Sequence, residues 1–193
     1  STLVDGFVDR LGAINKRPSL TEICDLGTGA PVDGAYWWGR PGKAMFTSGG
    51  KVFQLTDPIV PTFAELTYTG GIPLANAGIR PTWVSFGDTL YLADSEKILK
   101  VATGNVSEMA DVDAPTTVRF IAFLDNYLLA HQIDTGYVHW ANAGQPDTWA
   151  SMFANAESQP DDLVGVFADN QKIFLPGEDS TEVWYNDLVS PFA

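Results

Sequence analysis

The sequence predicts an all-β fold of repeated antiparallel hairpins, and two patterns carry that prediction. Apolar and polar residues alternate along short segments rich in Val, Ile, Phe, Tyr, Trp and Thr, which is the pattern of half-buried strands. Gly, Pro and Asp-Asn pairs separate these segments, as tight turns between antiparallel strands require. Residues 103–110 and 149–156 are compatible with short helical turns, but both stretches are too short to organise a fold.

A module of three strands recurs along the chain. Each copy has an apolar strand that ends in an aromatic residue, a polar turn, a second apolar strand, and a third strand of alternating bulky residues. The four copies span residues 35–55, 83–101, 120–140 and 163–185, and the last one opens with a predicted strand over 163–167. Because Asp, Asn and Gly tolerate turn conformations, we expect hairpin turns at Asp88, Asp125-Asn126 and Asp169-Asn170.

The spacing of these modules favours a β-propeller. Their aromatic anchors are Trp38, Phe86, Phe123 and Phe167. The anchors lie 48, 37 and 44 positions apart, close to the roughly 40 to 50 residues of a propeller blade. Four modules are few for a ring of about four to eight blades, and the chain stops just after an apolar strand, so we expect an incomplete propeller or a fragment. A β-sandwich is the alternative.

The chain divides into two predicted parts, and its charge narrows the possible partners. Residues 1–30 are assigned to an N-terminal extended segment and residues 31–193 to the blades. Twenty-four acidic residues against 11 basic ones leave a net charge of −13, which repels nucleic acid and anionic lipid. We therefore expect no tight DNA binding. The charge indicates either a solvated surface or an acidic wall along which a polyanion slides without sticking.

Membrane insertion and cysteine chemistry are not expected. The longest apolar run, residues 120–124, is far shorter than the roughly 20 residues of a membrane helix. Cys24 is the single cysteine, which excludes an internal disulfide and a cysteine zinc site.

Candidate catalytic and metal-binding residues are few. Asp134-Thr135-Gly136 is the tripeptide of aspartic proteases, in which two carboxylates share a proton, but it has no second copy here and falls where a hairpin turn is required. His131 and His139 lie on either side of that turn and could face each other. A metal site needs three or four ligands, so we predict that neither histidine binds a metal.

Other suggestive patterns also favour structural interpretations. Three carboxylate pairs could serve a glycosidase only if two groups lie about 5 to 10 Å apart across a cleft; they are Asp111 with Asp113, Asp161 with Asp162, and Glu178 with Asp179. Gly49-Gly50 and Gly70-Gly71 fit turns rather than phosphate loops. Asn105-Val106-Ser107 matches the triplet for N-glycosylation, which is relevant only to a protein in a secretory pathway. The six Trp residues could stack on sugars but are expected to pack between blades. We predict no catalytic, cofactor-binding or metal-binding residues, and hence no enzyme.

The third and fourth modules resemble a known family. The matching segments are LDNYLL (124–129), YVHW (137–140), PDTW (146–149), AESQPDDLVG (156–165) and STEVWY (180–185), with a weaker match at KRPSL (16–20). They are similar to the packaged-DNA stabilisation protein of short-tailed bacteriophages, the accessory tail protein that forms the nozzle below the portal. Between residues 70 and 113 only the strand pattern agrees. Members of the family are considerably longer, so their C-terminal part would be absent here.

The resemblance implies structural work in the virion tail, with no cofactor. A member would join a hexameric ring that extends the DNA channel, retains the packaged genome and guides its ejection. Its partners would be the portal adaptor, a plug or needle protein, and the tailspike, and it would pass through the host cytoplasm during assembly. The acidic charge agrees, because a channel wall that attracted phosphates would hold DNA back.

Two other function classes stay open. One is a propeller module that binds a protein or a glycan, and the other, more distant, is a propeller hydrolase or lyase. A ring-shaped hexamer with an acidic bore would favour the tail role. A monomer with exposed Trp clusters would favour the binding module, and a bound Ca²⁺ or a carboxylate-lined central pocket would favour the enzyme.

Overall fold

The computed structural model describes residues 6–8, 14–16, 25–69, 74, 78–156 and 161–186. In this part of the chain the regular elements are strands, and no helix long and apolar enough to cross a membrane is found. The first two strands, β1 (Gly6–Val8) and β2 (Ile14–Lys16), pair as an antiparallel hairpin within the predicted N-terminal segment. Cys24, Gly70-Gly71 and residues 157–160 lie outside the described residues.

Four sheets follow in chain order, and we call them blades 1 to 4. Blade 1 contains β3 (Val32–Trp38), β4 (Lys43–Ser48), β5 (Lys51–Asp57) and β6 (Thr62–Glu65). Next along the chain is β7 (Thr67–Thr69), and blade 2 contains β8 (Thr82–Phe86), β9 (Thr89–Ala93), β10 (Ile98–Ala102) and β11 (Asn105–Glu108). Blade 3 contains β12 (Val118–Leu124), β13 (Tyr127–Gln132), β14 (Tyr137–Asn142) and β15 (Gln145–Asn155). Blade 4 contains β16 (Phe167–Asp169), β17 (Lys172–Pro176) and β18 (Thr181–Tyr185).

The first strands of neighbouring blades lie side by side. β12 contacts β8 on one side and β16 on the other. The Tyr36 ring of β3 stacks on Trp83 of β8 with 5.9 Å between ring centroids, and the Thr82 hydroxyl donates a hydrogen bond to the Arg119 carbonyl. Within each blade the later strands follow the first one outward in antiparallel order. This arrangement is that of a β-propeller, so the predicted fold class is confirmed.

Residue alternation explains how the blades stack. Side chains of a strand point alternately to its two faces. In β9, Leu90 and Leu92 pack against blade 1, whereas Tyr91 and Ala93 pack against blade 3. A strand with a neighbouring blade on both faces therefore needs a continuous apolar run.

Three apolar clusters fill the seams between consecutive blades. Met45 and Leu90 lie in the first seam, Leu128 in the second, and Leu129 and Ile173 in the third, all fully buried. Burial of one such side chain stabilises a fold by about 1.5–3 kcal/mol. Apolar burial in the seams therefore provides most of the free energy that holds the blades together.

Strand β7 joins blade 1 to blade 2. It pairs in parallel with β11, so it forms the outer edge of blade 2. Its Tyr68 hydroxyl donates to the Gly50 carbonyl (2.9 Å) and accepts from the Val52 amide (3.0 Å), both in blade 1. Burial is the main cause that raises the pKa of Tyr68 to about 12. The chain is thus fastened to two blades at once by a three-residue strand.

The hairpin turns of blades 2 and 3 lie where the sequence predicts them. Gly87-Asp88 connects β8 to β9, and Gly87 has φ of 56°. Asp125 and Asn126 connect β12 to β13 with φ of 48° and 71°. Two successive positive φ values are typical of a type I′ turn, which favours Asp and Asn.

The turn of blade 4 is displaced by one residue from its predicted place. Asp169 pairs with Lys172, so the turn falls on Asn170 and Gln171, with φ of 49° and 63°. The predicted strand over 163–167 is also wrong: Leu163 makes an isolated bridge to Gly177, and the strand β16 begins at Phe167.

Two predicted helical turns are strands. Residues 103–110 contain β11, and residues 149–156 lie largely in β15. Both strands complete a blade by pairing with a neighbouring strand, β10 or β14. Long-range pairing overrides a weak local preference in such short segments.

Candidate functional site

The Asp134-Thr135-Gly136 tripeptide is a turn, as predicted. Asp134 has φ of 57°. The Thr135 hydroxyl donates to the Gln132 carbonyl (2.8 Å) and accepts from the Tyr137 amide (3.0 Å). The Ala156 amide donates to the Gly136 carbonyl (2.9 Å). The polar groups of the tripeptide thus hold the β13–β14 hairpin and its contact with the end of β15.

His131 and His139 do not face each other. Their cross-strand partners are Val138 and Ala130, respectively, so the two rings lie on opposite faces of blade 3. His131 is buried, and its Nε2 lies 3.3 Å from the Thr135 carbonyl. Burial lowers the pKa of both histidines. The described residues contain no group of three or more potential metal ligands.

A depression of about 340 Å³ opens beside His131. Its charged lining comprises Arg119, Asp134, Asp162 and Glu178. The Arg119 guanidinium lies over the Phe120 ring at 5.6 Å. Three carboxylates against one guanidinium suit a small cationic or hydrogen-bond-donating group rather than an anion.

Asp111 and Asp113 tie a loop to blade 3. The Asp111 carboxylate accepts from the Trp149 amide (3.0 Å) and the Asp113 amide (2.9 Å). These two backbone hydrogen bonds lower the pKa of Asp111. The Asp113 carboxylate accepts from the Ser151 hydroxyl (2.9 Å). The pair therefore acts as a structural clamp on β15.

Asp161 has a similar role in blade 4. Its carboxylate accepts from the amides of Asp179 (2.9 Å) and Ser180 (3.0 Å) and from the Ser180 hydroxyl (3.0 Å). Hydrogen bonding, chiefly from the Asp179 amide, lowers the pKa of Asp161. Asp162 is joined to the same bend, because its carbonyl accepts from the Glu178 amide (3.2 Å). The Asp161 carboxylate therefore stabilises this bend, whereas Asp162 and Glu178 line the depression beside His131.

Five of the six Trp side chains lie in the seams, as predicted. Those of Trp38, Trp140, Trp149 and Trp184 are buried, and Trp83 is half-buried against the first seam. Trp37 is the exception, with 64 % of its surface exposed.

Trp37 belongs to an open apolar face of blade 1. Strand pairing places Trp37 beside Ala44, and Phe46 beside Phe53, on the face turned away from blade 2. Phe63 extends the same face and contacts Phe46 edge to face at 5.2 Å between centroids. No other blade of the described part of the chain covers this face.

Blade 4 is the last blade of the described residues, and it has a second open apolar face. Phe167 stacks on Phe174 at 5.0 Å and 7°, and Val183 is the cross-strand partner of Phe174. Phe167, Val183 and Tyr185 are 51 %, 48 % and 61 % exposed. The sequence analysis did not predict these two faces, because it expected the aromatic residues to pack between blades, and the first and last blades each lack one neighbour among the described residues.

Equivalent residues show what these faces are. The first hairpin of each blade allows the second strands, β4, β9, β13 and β17, to be aligned with one another. The second residue of each of these strands lies on the side on which a preceding blade packs; these residues are Ala44, Leu90, Leu128 and Ile173. The third residue faces the following blade; these are Met45, Tyr91, Leu129 and Phe174. All the internal copies are 1 % exposed or less. The two terminal copies, Ala44 and Phe174, are partly exposed, since no further blade of the described residues covers them.

Comparison with known proteins agrees with this architecture. No family model and no curated protein matches the chain. Among solved structures, a catalytically inactive virginiamycin B lyase from Staphylococcus aureus has a TM-score of 0.60 and 13 % identity over 97 % of this chain. The β-propeller domain of Cps50 (Swd1) from Myceliophteria thermophila has a TM-score of 0.56 and 11 % identity over 81 % of it. The computationally designed protein Ika4 has a TM-score of 0.55 and 10 % identity over 86 % of it.

The same comparisons show how much of each matched structure the chain covers. The chain covers 61 % of the lyase chain and 54 % of the Swd1 chain, but 99 % of Ika4. At these identities the likeness shows the fold alone. The chain is an all-β, incomplete propeller that spans about half the length of the Swd1 structure.

Proposed function

We propose that this chain is a structural component of a bacteriophage tail, part of the nozzle ring that extends the DNA channel and retains the packaged genome. One observation carries the proposal: both ends of the blade arc present apolar faces that are exposed in the isolated chain. Contiguous exposed apolar surface marks a site of association. A protein of this kind acts through contacts with other subunits, rather than through a pocket.

The polar groups support the same interpretation. The tripeptide at 134–136 and the carboxylates Asp111 and Asp161 accept or donate hydrogen bonds within turns and loops. Their local roles are those of structural residues, and the proposal assigns no catalysis to them. The resemblance of the third and fourth modules to the tail stabilisation family supplies the biological setting.

The charge supports a channel role in which DNA passes without being held. A net charge of −13 offers phosphates no net attraction and releases few counterions on contact. In the tail, six copies would form the ring between the portal adaptor and the plug or needle. Such a wall would let the genome leave at ejection.

A phage that lacks the gene for this protein tests the proposal. We expect its particles to package DNA and then lose it, which nuclease treatment followed by quantification of protected genomes would measure. Complementation in trans with the wild-type gene is the control and should restore protected genomes. Particles that retain DNA normally without the protein would overturn the tail role.

A second measurement tests the channel surface. The purified chain should not shift duplex DNA in a mobility titration at physiological salt, because the repulsion described above opposes binding. Binding at sub-micromolar concentration would contradict the proposed wall.

A further inference from the structure

We propose that the outer edge of blade 3 binds an extended, positively charged peptide segment of another protein, which adds to the sheet as a fifth strand. The site consists of the second half of β15, residues 151–155, and of three rings beside it. It lies in an internal blade that is covered on both faces. The inference goes beyond the proposed tail role and does not depend on it.

Blade 2 already has a fifth strand at its outer edge, and that strand shows the binding mode. β7 pairs there in parallel with β11, although it is only three residues long, Thr67–Thr69. The Tyr68 ring at its centre packs against the first seam. A short extended segment with one aromatic side chain can thus add to the outer edge of a blade in this protein.

The outer strand of blade 3 has no such cover among the described residues, because β15 is the last strand of its sheet. A sheet edge presents unpaired N–H and C=O groups, which proteins commonly protect with charged residues or proline. β15 has this protection in its first half, at Pro146 and Asp147. Residues 148–155 contain neither a charged residue nor a proline. The second half of the strand is therefore open to pairing.

The pairing register shows which backbone groups of this edge are free. The Ala156 amide donates a hydrogen bond to the Gly136 carbonyl (2.9 Å), and the pairing with β14 continues in step through Asn155 and Phe153. In an antiparallel ladder, hydrogen-bonded pairs alternate with pairs that are not hydrogen-bonded. The N–H and C=O groups of Asn155 and Phe153 therefore point away from β14, toward the open edge, where an added strand would bind them.

Three rings next to this edge form an exposed platform for one side chain of the added strand. The Phe153 ring lies 5.0 Å from the Tyr137 ring and 5.3 Å from the His139 ring, between centroids. Phe153 is 52 % exposed and Tyr137 is 38 % exposed. Side chains directly opposite each other on neighbouring strands are in contact. An apolar residue opposite Phe153 would thus pack on the platform, much as Tyr68 packs on the first seam.

Charge favours a basic partner over a second copy of this chain. Asp113 lies at one end of the open edge, where its carboxylate accepts a hydrogen bond from the Ser151 hydroxyl (2.9 Å). Asp134 lies near the other end, in the turn between β13 and β14. The ion pairs among the described residues involve neither carboxylate. Two copies with a net charge of −13 each would repel one another, whereas a segment with a cation at both ends would be attracted.

Binding of a designed peptide to the full chain tests the site. The probe is the capped heptapeptide RTVYVTR, which has an aromatic residue at its centre and a cation at each end. NMR titration of the isotope-labelled chain measures its affinity, which should be detectable at millimolar peptide or below.

Two variants of the chain should weaken this binding by about fivefold or more. Phe153→Lys places a like charge on the platform. Asn155→Pro removes one outward amide, and proline is tolerated where the N–H faces solvent. Val112→Lys is the matched control, since Val112 is 96 % exposed on a loop, and it should bind the peptide as the wild type does. Circular dichroism should be unchanged in all three variants.

Two altered peptides distinguish strand addition from charge attraction alone. A form of RTVYVTR with N-methyl groups on alternate amides keeps its charge but cannot form the ladder, and it should bind several-fold more weakly. The peptide ETVYVTE keeps the strand pattern but reverses the charge, and it should also bind more weakly. Equal binding of the N-methylated peptide would contradict strand addition.

Hydrogen exchange locates the contact within β15. In the free chain the amides of Phe153 and Asn155 should exchange rapidly and those of Ala154 and Ala156 slowly, and the peptide should slow exchange at the first two. Protection of both outward amides in the free monomer would overturn the proposal. So would a dimer held by this edge, binding unchanged in both Phe153→Lys and Asn155→Pro, or absence of binding at millimolar peptide.

Discussion

Blades 2 and 3 differ from blades 1 and 4 in what covers them, and much less in what they are made of. The central blades are covered on both faces, and equivalent positions such as Tyr91 and Leu129 are fully buried. The terminal blades have one open face each, yet Phe46 and Phe174 there are as apolar as their buried counterparts. The sequence of every blade is therefore suited to two neighbours. Exposure at the two ends is a property of the arc, not of the blades.

The largest expected effect separates an internal seam from a terminal face. Leu129→Ala removes a fully buried side chain from the third seam and should lower the free energy of unfolding by about 2–5 kcal/mol, independently of protein concentration. Phe174→Ala, at the equivalent position of blade 4, should lower it by less, because the Phe174 ring is only half-buried and no further blade of the described residues covers it. Urea denaturation at several protein concentrations measures both. Equal losses of free energy in the two variants would remove the distinction between the two faces.

A smaller effect is expected from acid, and it should arise in a central blade. Both histidines lie in blade 3. Burial lowers the folded pKa of His131 below its unfolded value, although the carbonyl of Thr135 and the carboxylates Asp162 and Asp134 partly oppose this. The unfolded chain then binds the proton more readily, so stability present above pH about 6.5 is lost as the pH falls below that value.

Melting temperatures between pH 7 and pH 5 measure this loss. The window lies above the titration of Asp111 and Asp161, whose pKa values are lowered. His131→Gln should flatten the dependence, and His139→Gln should flatten it too, since burial also lowers the pKa of His139. A double variant that keeps the full wild-type slope would show that the histidines are not its source.

The smallest expected effect compares the hairpin turns of blades 3 and 4. Gln171 holds φ of 63° and Asn126 holds φ of 71°, but Asn tolerates this region better than Gln. Gln171→Gly should therefore stabilise the protein by about 0.5–1 kcal/mol, and Asn126→Gly by less. Gln171→Ala is the control, because Ala retains the Cβ and should bring no gain. Denaturation midpoints check the order of the three variants, which a larger gain at position 126 would contradict.

The central strands could be predicted from sequence because their signal is local. A run such as Leu128 to Ala130 between tight turns is apolar on both faces, and Asp125-Asn126 fixes the hairpin that precedes it. The edge strands β11 and β15 could not be predicted in the same way. They form by pairing with β10 and β14, and the choice between strand and helical turn in residues 103–110 depends on that distant partner.

The candidate site was harder to predict for a related reason. Leu129 and Phe174 have the same place in the repeat, so the pattern alone cannot tell which of them has a neighbouring blade. The opposite orientation of His131 and His139 depends on the pairing register of β13 and β14, where a shift of one residue would reverse it. The structural role of the polar residues in turns was easier to predict, since the turn at Asp134 follows from the residue types of the tripeptide.

Because of strand β7, the two ends of the arc should differ in how well they resist a mechanical pull. It is hydrogen-bonded to β11 of blade 2 while its Tyr68 hydroxyl holds Gly50 and Val52 of blade 1. A pull that separates these two blades must break the seam, the β7–β11 ladder and the Tyr68 contacts together. Among the described residues, blade 4 contributes three strands, and it meets blade 3 through its seam and through the hydrogen bond from the Leu163 amide to the Thr135 carbonyl. Under tension along the arc, rupture should therefore begin between blades 3 and 4, and the end that carries blade 1 should be the durable anchor.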